Sequence, residues 1–129
     1  MSETLPLGLP KDRKEIDALQ RRQKVYAVEN AKRSVYWKDA LAGIDMNKLD
    51  DPDEWQKIPI LEKDALRDMT AEEFYTDFCI TSGPEICEFW RSGGSTGKPL
   101  FYPKTYEDIR YNMVGFARTF ECSGTEAGH

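Results

Sequence analysis

Apolar positions recur at helical intervals over roughly the first two thirds of the chain and at alternate positions near residue 90. This change divides the sequence into two kinds of structure. Ile16, Leu19 and Tyr26, with Gln23 interrupting, mark one face of a long charged helix. It starts at Asp12, where Asp12 and Glu15 have the spacing of a capping box, and runs towards Arg33. The charged run Gln20-Arg21-Arg22-Gln23-Lys24 reads as its solvated face. Ser34 opens a second helix carrying Val35, Tyr36, Trp37, Ala40 and Leu41, with Gly43 as its stop. Asp51-Pro52-Asp53-Glu54 is a compact helix start with aspartate as cap and proline in the first turn. Pro59 breaks the chain after that helix, a short helix is expected over residues 62–68, and Thr70 with Glu73 forms another capping box. Ser82-Gly83-Pro84 reads as a turn.

From Ile86 to Arg91 the pattern switches to alternation, with Ile86, Glu88 and Trp90 on one side and Cys87, Phe89 and Arg91 on the other, which predicts a strand. The loop Ser92-Gly93-Gly94-Ser95-Thr96-Gly97-Lys98-Pro99 comes next, then a second strand over Leu100-Phe101-Tyr102, with Pro103 marking an edge strand or the strand's end. Thr105 and Asp108 cap a last helix with Ile109, Met113, Phe116 and Phe120 along one face, stopped at Ser123-Gly124. The fold class is therefore α/β: a helical amino-terminal region followed by strand, glycine-rich loop, strand and helix. The divisions are a flexible arm over residues 1–12, a helical region over 13–85, and the start of an α/β subdomain over 86–129. Two strands and one helix do not complete a sheet, so an incomplete domain, or one reliant on a partner, is expected. Such a free sheet edge leaves oligomerisation open. The aromatics Tyr36, Trp37, Phe74, Phe89, Trp90 and Phe101 are assigned by default to the core.

Composition narrows the function classes. Of 129 residues, 40% are hydrophobic, too many for a disordered chain. A net charge of −5 argues against a general nucleic-acid binder. No apolar run approaches membrane-spanning length. Cys79, Cys87 and Cys122 are odd in number and match no zinc spacing, and the single histidine is His129, so no metal site is assigned. Reduced thiols fit a cytoplasmic protein, with Cys87 and Cys122 expected as packing residues.

The chemistry concentrates in the loop. Glycines let backbone N–H groups turn towards an anion, Ser95 and Thr96 offer hydroxyls, and Lys98 adds a mobile positive charge. No acid occurs from Phe89 to Tyr106, whereas Arg91, Lys98 and Lys104 are basic. It is not a Walker A loop, because Ser92 stands where the first glycine belongs and Pro99 where a Ser or Thr would reach magnesium. A glycine-rich hairpin able to fold over a triphosphate is the alternative geometry.

Ser92 to Pro99 resembles the phosphate loop of the adenylate-forming superfamily, most closely that of phenylacetate–CoA ligase and its relatives, typically Ser-Ser-Gly-Thr-Thr-Gly-Lys-Pro. Ser92, Gly94, Thr96, Gly97, Lys98 and Pro99 match, Ser95 replaces a threonine, and Gly93 replaces a serine. Upstream, Ser34-Val35-Tyr36-Trp37 to Ala42-Gly43-Ile44 and the stretch from Ile58 to Arg67 resemble family segments in the same order, so the likeness covers roughly residues 14 to 122. The resemblance implies an incomplete part of the large amino-terminal domain of such an enzyme. It implies ATP held by Ser92, Gly93, Gly94, Ser95, Thr96, Gly97 and Lys98, and, for the complete enzyme, Mg2+, coenzyme A and a carboxylic acid, possibly aromatic. No catalytic residue is assignable, since the later motifs and the adenylation lysine would lie beyond His129. Lys63 is not that lysine and is expected to be solvent-exposed. The isolated chain is expected to be inactive as a ligase. Two alternatives stay open: a non-catalytic truncated homologue acting as an interaction module, and a relative that activates acyl groups for transfer to protein.

Overall fold

The computed structural model describes residues 9–81, 83–93, 99–125 and 128. The chain divides into two compact units. Residues 10–82 form a helical unit, and residues 83–129 with the first nine form the other. Together they make a mixed structure of helices and one small antiparallel sheet.

The helical unit begins with α1 (Arg13–Ala31), capped by Asp12, whose side chain accepts from the Glu15 N–H. Then come α2 (Val35–Lys38), a 3-10 turn (Met46–Lys48), α3 (Pro52–Trp55), α4 (Lys63–Asp68) and α5 (Ala71–Glu73). α5 continues as a π-helical turn (Phe74–Phe78). Both bonds of the Thr70–Glu73 capping box are present, at 2.8 and 3.2 Å. The Thr70 N–H and then its hydroxyl, both donating to the Glu73 carboxylate, hold that carboxyl below its ordinary pKa. Val28, Leu41, Ile44 and Leu49 form the core, with Val25, Ala31, Trp37, Met46 and Ile58 packed against it. The aromatics Tyr36, Phe74 and Phe78 form a small cluster, with ring centroids 5.5 Å apart for Tyr36–Phe78 and 5.6 Å for Phe74–Phe78. Ser34, almost fully buried, donates to the Asp77 carbonyl at 2.7 Å and so ties the start of α2 to the π-helical turn.

The face of α1 differs from the one its spacing suggests. Gln23 and Tyr26 are exposed, and Val25, Val28 and Ala31 meet the core. Within the charged run, Gln20, Arg21, Arg22 and Gln23 are exposed, as a solvated face requires, and Lys24 is half-buried. Arg21 pairs with Asp50, and Lys24 donates to the Leu49 carbonyl at 3.1 Å. Their stems lie along the helix while their charged ends satisfy carbonyl and carboxylate oxygens of the segment after the 3-10 turn. Charge alone does not distinguish a long cation held in this way from an unpaired one.

Glu54, 5% exposed, accepts from the Lys57 ammonium at 2.6 Å and from the Asp45 N–H at 2.9 Å. These bonds lower its pKa from 4.5, the Lys57 bond first, and raise that of Lys57. A carboxyl with a lowered folded pKa stabilises above its unfolded value and ceases to as pH falls through the folded one. The Glu54 contribution is therefore complete above about pH 4.5 and lost below it. Urea midpoints at pH 7 and pH 3 are expected to differ less in Glu54→Gln than in the natural chain. Glu73 adds a shift of the same sign to both proteins.

In the second unit a 3-10 turn (Gly83–Glu85) leads into β1 (Ile86–Arg91), which pairs antiparallel with β2 (Phe101–Thr105), followed by α6 (Tyr106–Cys122). Glu88 faces Lys104, Phe89 faces Pro103, Trp90 faces Tyr102 and Arg91 faces Phe101. A register shift between Ile86 and Glu88 leaves Cys87 as an extra bulge residue, with its thiol on the Lys104 carbonyl at 3.4 Å. β2 runs through Pro103, so of the two expected meanings of that proline the structure shows the edge strand and not the end. Ser92 and Leu100 form a hydrogen-bonded pair, so by alternation Phe89 and Pro103 face each other at a non-bonded position, where a missing N–H costs the ladder nothing. α6 starts with a complete capping box between Thr105 and Asp108 and ends where Gly124 takes φ +78°.

Several side chains assigned to packing are exposed here: Phe89, Trp90, Phe101, Tyr36, Cys87 and Cys122. Along α6, Ile109 is half-buried, but Met113, Phe116 and Phe120 are exposed. A two-stranded ribbon has two faces, and its aromatics alternate between them. Periodicity locates an apolar stripe but does not say what lies against it.

Candidate functional site: the neck of the glycine-rich loop

Arg91 and Phe101 form the last ladder pair of β1 and β2, and the neck of the loop lies one residue beyond it. The Ser92 N–H donates to the Leu100 carbonyl at 2.9 Å. The Leu100 N–H donates to Ser92 Oγ, also at 2.9 Å. A regular antiparallel pair would send that second bond to the Ser92 carbonyl. The side-chain hydroxyl replaces it, so the backbone after Ser92 is released from the ladder while the strands stay joined. Leu100 is buried, so its N–H is costly to leave unpaired.

Of the seven residues assigned to phosphate, the structure places Ser92 and Gly93. Gly94, Ser95, Thr96, Gly97 and Lys98 lie outside the described residues, as do residues 1–8 of the arm. Gly93 has no positive φ, and a Cβ there would meet nothing within 4 Å. A serine, the family's usual residue, therefore fits that backbone.

Two of the three basic residues are described. Arg91 is exposed beside the neck. The Lys104 ammonium sits 5.6 Å from the centre of the Trp90 ring. Glu88, opposite Lys104, accepts from Trp90 Nε1 at 2.8 Å. The acid-free stretch thus has a carboxylate at its border, across the ladder from Lys104. Trp90 and Tyr102 face each other, both partly exposed. Lys63 is exposed, as expected.

The bond from Leu100 to the Ser92 hydroxyl is not evident in the residue pattern. Its only signal is a hydroxyl residue placed just before two glycines and across from an apolar residue that comes after proline. Among the described residues no three His, Cys, Asp or Glu side chains come together to hold a metal ion. No described helix is long and apolar enough to cross a membrane. No protein-family model matches the chain, and no curated protein matches it in sequence.

Proposed function

We propose that this chain supplies the phosphate-gripping loop of an ATP-dependent acid–CoA ligase of the phenylacetate–CoA ligase type. The observation that carries the reading is the neck itself. Residues 92–99 join two antiparallel strands through a side-chain-closed pair, and a capped helix comes after them. That is the strand–loop–strand–helix order the resemblance implies. A P-loop would instead lead from strand directly into helix.

In this reading the carboxylate of an organic acid attacks the α-phosphorus of ATP. The bond to the β-phosphate breaks, giving an acyl-adenylate and pyrophosphate. The coenzyme A thiolate then attacks the acyl carbon and expels AMP, giving the thioester. The loop's part is to hold the β- and γ-phosphates, which leave together. Backbone N–H groups at Gly93, Gly94 and Gly97, the hydroxyls of Ser92, Ser95 and Thr96, and the Lys98 ammonium supply donors and charge. Arg91 at the neck adds long-range attraction. Magnesium belongs to the complete enzyme, as does the site that receives coenzyme A. The three free thiols support a reducing, cytoplasmic setting.

Equilibrium dialysis of the chain against ATP tests the reading. Lys98→Ala is expected to weaken binding about tenfold, the loss of one charge-assisted contact to phosphate. Unchanged retention of ATP by Lys98→Ala would count against the loop as the phosphate site.

A further inference from the structure

We infer that Ser92 is a positioning residue, whose hydroxyl oxygen sets where the ladder stops and the phosphate loop begins. This rests on the proposed phosphate role of the loop, but its structural half stands apart from it. By residue type Ser92 groups with Ser95 and Thr96, as another hydroxyl for phosphate. Its geometry gives the oxygen a separate task, while the O–H proton stays free to donate. The oxygen already accepts the Leu100 N–H at 2.9 Å, and the Ser92 N–H is spent on the Leu100 carbonyl. Two bonds from one residue to one partner define a neck that cannot slide without breaking both.

Because the second bond ends on a side chain, the Ser92 carbonyl is not needed by β2. The Ser92–Gly93 peptide can then turn without any loss to the ladder, as a loop that must present N–H groups to an anion requires. At the other side of the neck, Leu100 is buried and comes directly after Pro99, whose ring fixes its own φ. One wall of the neck is thus rigid, and Ser92 fastens the other to it. A threonine offers the same oxygen from the same Cβ. Alanine does not, and would leave the buried Leu100 N–H without its acceptor.

Amide hydrogen exchange and ATP dialysis on Ser92→Ala and Ser92→Thr test this. In Ser92→Ala the Leu100 amide is expected to exchange about fivefold faster, one hydrogen bond's worth. The Trp90 and Tyr102 amides, in mid-hairpin, should keep their rates and so report that the hairpin is folded. ATP binding should weaken in Ser92→Ala, and Ser92→Thr should restore both readouts. Unaltered Leu100 exchange in Ser92→Ala overturns the inference, and if ATP binding falls all the same, Ser92 is a direct phosphate ligand. Faster exchange with unaltered ATP binding also overturns it. If the natural chain binds no ATP at any concentration, the ligase reading fails, while the Leu100 exchange rates still decide whether Ser92 closes the neck.

Discussion

Leu41→Ala is expected to unfold the helical unit at room temperature. Leu41 is 1% exposed and sits with Val28, Ile44 and Leu49, the four buried apolar side chains of this unit among the described residues. Truncating a leucine in such a place removes its burial and leaves a cavity that its neighbours fill only in part, at a cost of about 2–5 kcal/mol. A unit of this size has a total stability of the same order, roughly 5 kcal/mol. The remaining contacts do not make up the difference. The surface network of Arg21, Lys24 and Asp50 is more than a third exposed at two of its three members, and exposed pairs contribute little. Circular dichroism should show loss of helical signal, and the fluorescence of Trp37, which packs against this core, should shift towards that of a solvated indole. Ile60→Ala is the control, because Ile60 is 86% exposed and its loss should be nearly silent.

The short helices were legible for local reasons. Asp12, Asp51, Thr70 and Thr105 all accept the hydrogen bonds expected of caps, because capping involves residues only two or three apart. The stop at Gly124 and the presence of a strand over Ile86–Arg91 were legible for the same reason. What sits against what was not. Exposed Arg21 and half-buried Lys24 on α1 are engaged by oxygens of Asp50, Asn47 and Leu49, more than twenty residues away in sequence. The continuation of β2 through Pro103 depends on which pairs are hydrogen-bonded, and that depends on the Ser92–Leu100 partnership. The bulge at Cys87 arises from the register of a strand not yet met when the chain is read forwards.

The candidate site divides in the same manner. Glycines, hydroxyls and a lysine within one short segment state their chemistry in the residue names. The closing bond does not, because its acceptor is the one hydroxyl that the pattern groups with the phosphate donors. The acid-free run is real in sequence, yet antiparallel pairing sets Glu88 opposite Lys104, whose ammonium lies over the Trp90 ring.

Replacing residues 93–99 by Asn-Gly is expected to abolish ATP binding while leaving the hairpin intact. Ser92 and Leu100 form the hydrogen-bonded pair that closes a two-residue turn, and Asn-Gly takes the backbone conformation such a turn needs. The exchange rates of the Trp90 and Tyr102 amides would confirm that the strands remain paired. The ligand series discriminates further. If the loop holds the β- and γ-phosphates, inorganic pyrophosphate should displace ATP, whereas AMP, which lacks both, should not. A contact made mainly through the base, for example stacking on Trp90 or Tyr102, predicts the reverse order. The charge component also sets a salt dependence: raising ionic strength from 0.01 to 0.15 M shortens the screening length from about 30 to 8 Å and should weaken pyrophosphate binding. Lys98→Ala should flatten that slope, because it removes the charge that salt would otherwise screen. ATP retained by the Asn-Gly hairpin with unchanged affinity would mean that the nucleotide binds elsewhere on the chain, and the loop's likeness to a phosphate grip would then be one of sequence only.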